Sequence, residues 1–267
     1  MKKIIYVFLI SCFSLTIISC SVNWGSNKDD TTSGLFVSVG NSGTIIISSD
    51  GITWTFSTSG TSSILWGINY GNSTFVAVGD SGTILTSSDG TSWDERTSDV
   101  SSTLYGVTYG NSTFVTVGDN GTILTSSDGT TWTSRTSNTS KDLYGVTYGN
   151  NTFVTVGDSG TILTSSDGTS WDNRTSSTKN SLAGLTFGNS TFVTVGVSGT
   201  ILTSSDGTSW TSRTSGASDT LWGVIYGKSA FVVVGPLGTV LTSSDLTTWT
   251  SRTSNTSNNL LEVSYKE

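Results

Sequence analysis

A tryptophan recurs every 39 residues along most of the chain, and this period constrains the fold more than any other feature. A sequence unit repeats in the same register, and its clearest copy runs from Leu104 to Ser140. The tryptophans of the six units are Trp54, Trp93, Trp132, Trp171, Trp210 and Trp249. Self-similarity at this spacing indicates a repeat architecture, in which each unit packs on its neighbours.

Each unit contains four short runs of β-forming residues separated by turn residues. In the clearest copy we predict strands at 104–109, 113–117, 122–126 and 131–136. An Asp-Gly pair separates the third and fourth runs, which favours a hairpin because such turns need positive φ angles. Four antiparallel strands in about 40 residues are typical of a β-propeller blade.

The strand that is missing at the start of the repeat region is present at its end. Residues 35–57 carry the second, third and fourth strands of a first unit, and residues 260–265 match a first strand. We therefore expect Leu260–Tyr265 to pair with Phe36–Val39 and close the ring, which protects the sheet edges. The predicted fold is all-β: a six-bladed β-propeller of four-stranded antiparallel blades.

The N-terminus has the features of a secretion signal. Lys2 and Lys3 precede an apolar stretch that is too short to span a bilayer comfortably, and the stretch ends at Cys20. Residues 17–20 resemble a bacterial lipobox, which implies lipidation of Cys20; ordinary cleavage beside a chance cysteine is the alternative. The predicted organisation is a leader at 1–20, a flexible tether at 21–34 and the propeller at 35–267.

The third turn of each unit carries a second motif. Residues 87–93 read Ser-Ser-Asp-Gly-Thr-Ser-Trp, and this pattern recurs in the other units. It resembles the Asp-box, or BNR, repeat of sialidase-like and photosystem II assembly-factor propellers. The resemblance implies that the aspartate accepts backbone N–H bonds, which gives a structural role to Asp50, Asp89, Asp128, Asp167, Asp206 and Asp245. One carboxylate per turn is too few for a calcium shell, so we expect no metal.

Composition limits the chemistry that the domain can perform. The chain has no histidine, and without the leader lysines its 10 basic and 19 acidic residues give a net charge of −9, which disfavours nucleic acid. Sialidases need arginines that converge on the central channel. The five arginines here occupy equivalent positions on the predicted outermost strand, three residues after five of the six repeat tryptophans. We therefore predict a binding protein without cofactor, with a sialidase-like glycosidase as the alternative.

A candidate binding face follows from the alternating chain direction. The second turns and the blade-to-blade loops share this face, whereas the Asp-box turns lie on the opposite one. The named candidates are Asp80, Asp119 and Asp158 in the turns, and Arg96, Arg135 and Arg174 before the loops. The arginines could pair with nearby carboxylates such as Asp80, or contact a partner.

Aromatic residues near the start of the first strands, Trp66, Tyr105, Tyr144 and Trp222, could pack between blades or ring the channel mouth and stack on sugars. The expected partner is a protein or a glycan. We expect a monomer attached by its lipid to a bacterial envelope, at the outer membrane or cell surface rather than the inner membrane.

Overall fold

The computed structural model describes residues 17–22 and 34–265, and they form an all-β, six-bladed propeller. Each blade is a four-stranded antiparallel sheet whose strands are adjacent in chain order. No helix in this part of the chain is long and apolar enough to cross a membrane. The prediction of four-stranded blades in a six-bladed propeller is confirmed.

The strands are numbered along the chain, with four to each blade. The first three blades contain β1 (Ile17–Val22), β2 (Phe36–Gly40), β3 (Ile45–Ser48) and β4 (Thr55–Ser57); β5 (Leu65–Gly71), β6 (Thr74–Gly79), β7 (Ile84–Ser87) and β8 (Asp94–Arg96); β9 (Leu104–Gly110), β10 (Thr113–Gly118), β11 (Ile123–Ser126) and β12 (Thr133–Arg135). The last three contain β13 (Leu143–Gly149), β14 (Thr152–Gly157), β15 (Ile162–Ser165) and β16 (Asp172–Arg174); β17 (Leu182–Gly188), β18 (Thr191–Gly196), β19 (Ile201–Ser204) and β20 (Thr211–Arg213); β21 (Gly223–Gly227), β22 (Ala230–Val234), β23 (Val240–Ser243) and β24 (Thr250–Ser251).

The first blade differs from the prediction in its inner strand. β1 pairs antiparallel with β2, and Cys20 lies opposite Ser38, so the expected pairing of Leu260–Tyr265 with Phe36–Val39 is wrong. β1 spans the predicted boundary between leader and tether. The remaining leader residues 1–16 and tether residues 23–33 lie outside the described residues.

The physical reason is that two β-forming segments suit the same edge, and Ile17–Val22 takes the backbone hydrogen bonds of β2 that Leu260–Tyr265 was expected to take. The C-terminal segment instead lies beside β21. Leu260 donates its backbone N–H to Gly235 O at 3.0 Å, and a Cβ at Gly227 would overlap the ring of Tyr265. No residue from Leu260 to Tyr265 belongs to a β-strand.

The core lies between consecutive blades. Alternate residues of the two middle strands face a neighbouring blade, and the clusters join blades one to two, two to three, and so on to five to six. Phe114, Phe153 and Phe192 are completely buried in equivalent positions. Because both faces of an internal blade are covered, function is left to the ends of the strands, where the turns and loops lie.

Candidate functional site

The second turn of each blade lies at one mouth of the central channel. These turns connect the second and third strands as short 3-10 turns, and several of them contact the inner strand of the following blade. They are Asn41–Gly43, Asp80–Gly82, Asp119–Gly121, Asp158–Gly160, Val197–Gly199 and Pro236–Gly238. The first residue of the second turn is therefore the position that differs most from blade to blade.

A β-bulge turns an aromatic side chain towards these turns. In the second blade Leu65 pairs with Gly79 and Gly67 with Val78, which leaves Trp66 as the extra residue. The same register shift leaves Tyr105 and Tyr144 unpaired in the next two blades. A bulge interrupts the alternation of a strand and re-aims one side chain, so these residues leave the pattern of the blade core.

Each bulge residue contacts the aspartate in the second turn of its own blade. Trp66 Nε1 donates a hydrogen bond to Asp80 Oδ1 at 2.6 Å. In the next two blades Asp119 lies near enough to Tyr105, and Asp158 near enough to Tyr144, to raise the pKa of each hydroxyl. Each of these three blades thus presents an aromatic ring beside a carboxylate.

The three rings also contact one another from blade to blade. The Trp66 and Tyr105 centroids are 5.7 Å apart and those of Tyr105 and Tyr144 are 5.4 Å apart, both edge to face. All three residues are half-buried. The two functional interpretations of these aromatics are therefore combined in one feature: the rings pack across blade boundaries and also line the mouth. We call Trp66, Tyr105, Tyr144, Asp80, Asp119 and Asp158 the acidic arc.

The carboxylates of the acidic arc carry negative charge that is not paired with a lysine or arginine of the described residues. Burial, together with Asp119, raises the pKa of Tyr105 far above its usual value, and burial with Asp158 and Asp142 raises the pKa of Tyr144. Within residues 17–22 and 34–265, the ion pairs are Arg96–Asp94 and Arg174–Asp172. No lysine or arginine in this part of the chain neutralises the arc.

The rest of the mouth has a different chemistry. In the fifth blade Ala183 replaces the aromatic residue and Val197, 37% exposed, replaces the aspartate. In the sixth blade the turn contains Pro236 and Leu237, and the leucine is 70% exposed. We call Val197, Pro236 and Leu237 the apolar arc. It follows the acidic arc in blade order around the mouth.

The candidate arginines lie away from the channel. Arg96, Arg135 and Arg174 end the outermost strands, where each Nε donates to a threonine hydroxyl of the third strand at 2.8 Å. Arg96 pairs with Asp94 at 2.9 Å rather than with Asp80. Arg174 also lines a shallow surface cavity of about 400 Å³ formed by residues 174–179. The arginines therefore share a face with the acidic arc but lie at its outer rim.

The Asp-box turns have the geometry of a structural element. In the third blade Asp128 Oδ1 accepts the backbone N–H groups of Thr130 and Thr131 at 2.8 and 3.0 Å and the Ser126 hydroxyl at 2.9 Å. Trp132 Nε1 donates to Gly129 O at 2.9 Å. The aspartates of all six turns accept equivalent amide bonds, which hold their pKa values well below the usual range. No group of side chains suited to a metal occurs among residues 17–22 and 34–265.

The opposite mouth is more uniform. Asn72 in the first turn of the second blade donates to Ser127 O beside the next Asp-box, and Asn111 bonds Ser166 O in the same way. These contacts place the first turns and the Asp-box turns on one face. These contacts repeat in the second, third and fourth blades, and the Asp-box turns differ at Ile52 in the first blade and Leu246 in the sixth.

One carboxylate outside the arcs has unusual chemistry. Glu262 stands in the C-terminal segment, where the other units have glycine, and its backbone lies close to Gly223. Its surface is exposed, yet the protein around it disfavours the charged form and raises its pKa to about 7.

The sequence predicted a role for the three aspartates of the acidic arc, and it named Trp66, Tyr105 and Tyr144 separately without placing them beside those aspartates. The β-bulge brings each ring to its aspartate, and a bulge adds one residue to a strand without changing the amino-acid composition that predicts the strand. The apolar arc was visible in the sequence as departures from the repeat at Val197 and Pro236.

No protein family model and no curated protein matches the sequence. Solved structures do match the fold. YCF48 bound to D1 peptide superposes with a TM-score of 0.65 at 18% identity, covering 81% of this chain and 76% of that chain. YCF48 from Cyanidioschyzon merolae gives 0.70 at 15% identity over 92% and 88%, and the computationally designed Ika8 protein gives 0.67 at 14% over 95% and 91%. At these identities the likeness shows a shared propeller fold.

Proposed function

We propose that this protein is a non-enzymatic lipoprotein of the bacterial cell envelope, whose propeller binds a protein partner through the face that carries the second turns. The observation that carries the proposal is the acidic arc, in which aromatic rings and unneutralised carboxylates line one mouth of a rigid scaffold. The structural neighbour with a bound peptide supports a protein rather than a glycan as the partner.

Site-specific photocrosslinking tests the face. A photoreactive amino acid is placed at Asn120, at the tip of a second turn, and in a matched variant at Thr130, at the tip of the Asp-box turn of the same blade. Both side chains are exposed. We expect protein adducts in intact cells from position 120. Adducts from position 130 alone would assign the partner to the other face, and glycan-only labelling would contradict a protein partner.

The membrane attachment rests on Cys20 at the end of the apolar leader. Cleavage before Cys20 would remove Ile17–Ser19 and leave Cys20–Val22 opposite β2. Metabolic labelling with a palmitate analogue should mark the wild type and a Cys12→Ala variant, but not Cys20→Ala. Label that survives the Cys20 substitution would overturn the lipoprotein assignment.

The glycosidase alternative has a separate test. A sialidase-like site needs several arginines at the channel, whereas the described arginines bond threonines on the outer half of the blades. We expect no hydrolysis of fluorogenic sialosides or other aryl glycosides by the purified protein. Turnover that is lost on substitution of Glu262 would support the enzyme instead.

A further inference from the structure

The exposed leucine of the sixth blade occupies a backbone conformation that its side chain disfavours. Leu237 has φ of 53°, in the left-handed region, where the other second turns have Ser42, Ser81, Asn120, Ser159 and Ser198 at closely similar angles. An L-residue with a branched side chain is destabilised there, more than asparagine. The side chain is nonetheless 70% exposed, so packing within the described part of the chain does not compensate the strain.

Strained and exposed apolar residues on a rigid scaffold are characteristic of contact surfaces. Leu237 has Pro236 beside it in the chain and Val197 in the equivalent turn of the preceding blade, so the apolar arc presents aliphatic residues in the second turns of two successive blades. A partner that covers Leu237 would remove its side chain from water, and the free energy of this burial would stabilise the complex.

The acidic arc favours a partner segment that carries positive charge. Aromatic faces attract cations, and three carboxylates beside them strengthen this attraction. The half-buried position of Trp66, Tyr105 and Tyr144 lowers the local dielectric screening, so a lysine or arginine side chain would interact more strongly here than at an open surface. An acidic segment would be repelled.

We propose that the two arcs together bind an extended peptide segment of a partner protein in which basic side chains alternate with leucine-like apolar ones. The basic side chains contact the acidic arc and the apolar ones contact Leu237 and Val197. An extended octapeptide reaches roughly 25 Å, enough to pass across several blades of a channel mouth. This inference rests on the proposed function and specifies the partner's chemistry.

Three synthetic octapeptides test the inference on the full chain in detergent: GSLKLKSG, the acidic GSLELESG and the polar GSSKSKSG. Binding is measured by surface plasmon resonance against a reference surface that carries detergent alone. We expect the basic and apolar peptide to bind at least tenfold more tightly than either of the others. Equal binding of all three would overturn the inference.

Two variants locate the binding, and the repeat supplies a matched residue for each. Asn41 forms the same turn in the first blade, so Asp80→Asn, Asp119→Asn and Asp158→Asn together should preserve the fold while weakening binding at least tenfold. Leu237→Ser copies the other blades. It should weaken binding at least fivefold without lowering the thermal unfolding midpoint, because it relieves strain.

The control removes the same number of charges elsewhere. Asp94→Thr, Glu95→Ser and Asp172→Thr introduce residues found at equivalent positions of other outer strands, Thr133, Ser134 and Thr211. Binding within twofold of the wild type is expected. An equal loss in this variant would reveal non-specific attraction to a negative protein and overturn the inference. If crosslinking from position 120 still captures a protein while no peptide binds, the inference fails and the proposed function stands.

Discussion

Gly110 packs directly against the ring of Tyr148 in the following blade, and an added methyl group there tests how tightly the inner strands are packed. A Cβ at position 110 would overlap the Cβ, Cγ and Cδ1 atoms of Tyr148. Carbon atoms at rest are separated by about 3.5–4.0 Å, so the ring or the strand must move by more than about 1 Å. The same stacking recurs at Gly71, Gly149, Gly188 and Gly227.

Overpacking of this kind costs about 1–3 kcal/mol, and the severity of the overlap favours the upper part of that range. For a domain of this size, 2–3 kcal/mol lowers the unfolding midpoint by roughly 4–12 °C. The measurement is thermal unfolding of Gly110→Ala followed by tryptophan fluorescence. Gly216→Ala is the control, because a Cβ there meets nothing within 4 Å and its cost is confined to the positive φ of 73°.

A double-mutant cycle with Tyr148→Ala identifies the cause. Removing the ring removes the overlap with Cγ and Cδ1 and leaves only the overlap with Cβ, so the combined variant should be more stable than the sum of the two single effects predicts, by more than about 1 kcal/mol. Additive effects, or a Gly110→Ala variant as stable as the wild type, would refute the packing argument.

Further outcomes follow from titration and from the first blade. Asp50 and the other Asp-box carboxylates have lowered pKa values, about 2 for Asp50 against 3.8 when unperturbed. The charged carboxylates therefore stabilise the fold fully above pH 4, and this stabilisation should be lost as the pH falls towards 2. An unfolding midpoint that stays constant between pH 5 and 2 would contradict this. Glu262 acts in the opposite direction: its pKa is raised from 4.5 to about 7, so it destabilises the fold as the pH rises through that interval, and Glu262→Gln should raise the unfolding midpoint at pH 8 more than at pH 4.5. In the uncleaved chain, Ser38→Cys should form a disulfide with Cys20 on mild oxidation, because their Cα atoms are strand partners, whereas Val37→Cys should not; equal cross-linking of both on reducing and non-reducing gels would argue against the β1 register.

The blades could be predicted closely because local signals repeat in every unit. For the clearest copy, the predicted 104–109 and 113–117 became Leu104–Gly110 and Thr113–Gly118, and the ends fall at glycines that the turn chemistry had marked. The fourth strand proved shorter, Thr133–Arg135, because the Asp-box turn takes up the residues before it. Each of these boundaries depends on residues close together in the chain.

The first blade could not be predicted in the same way. Its inner edge can be paired by Ile17–Val22 or by Leu260–Tyr265, and both segments have the composition of strands. The choice depends on which connection and which neighbours fit, and no local pattern contains that information. Bulges are equally invisible, so Trp66 was assigned to a strand but its contact with Asp80 was not foreseen.

The hydrogen bonds of the second turn explain why its first residue varies while the Asp-box aspartate does not. Each of these turns is closed through the backbone carbonyl of its first residue: Thr83 N–H donates to Asp80 O, and Thr239 N–H donates to Pro236 O in the same way. The side chain at the first position is not needed for the turn, so aspartate, valine and proline all fit the same backbone. The Asp-box, in contrast, uses its carboxylate to bind two amides, and any other residue there would leave them without that acceptor. Substitutions at the first position of a second turn are therefore tolerated by the fold, whereas loss of an Asp-box carboxylate is penalised, which is why the second turns can carry acidic residues in some blades and apolar residues in others.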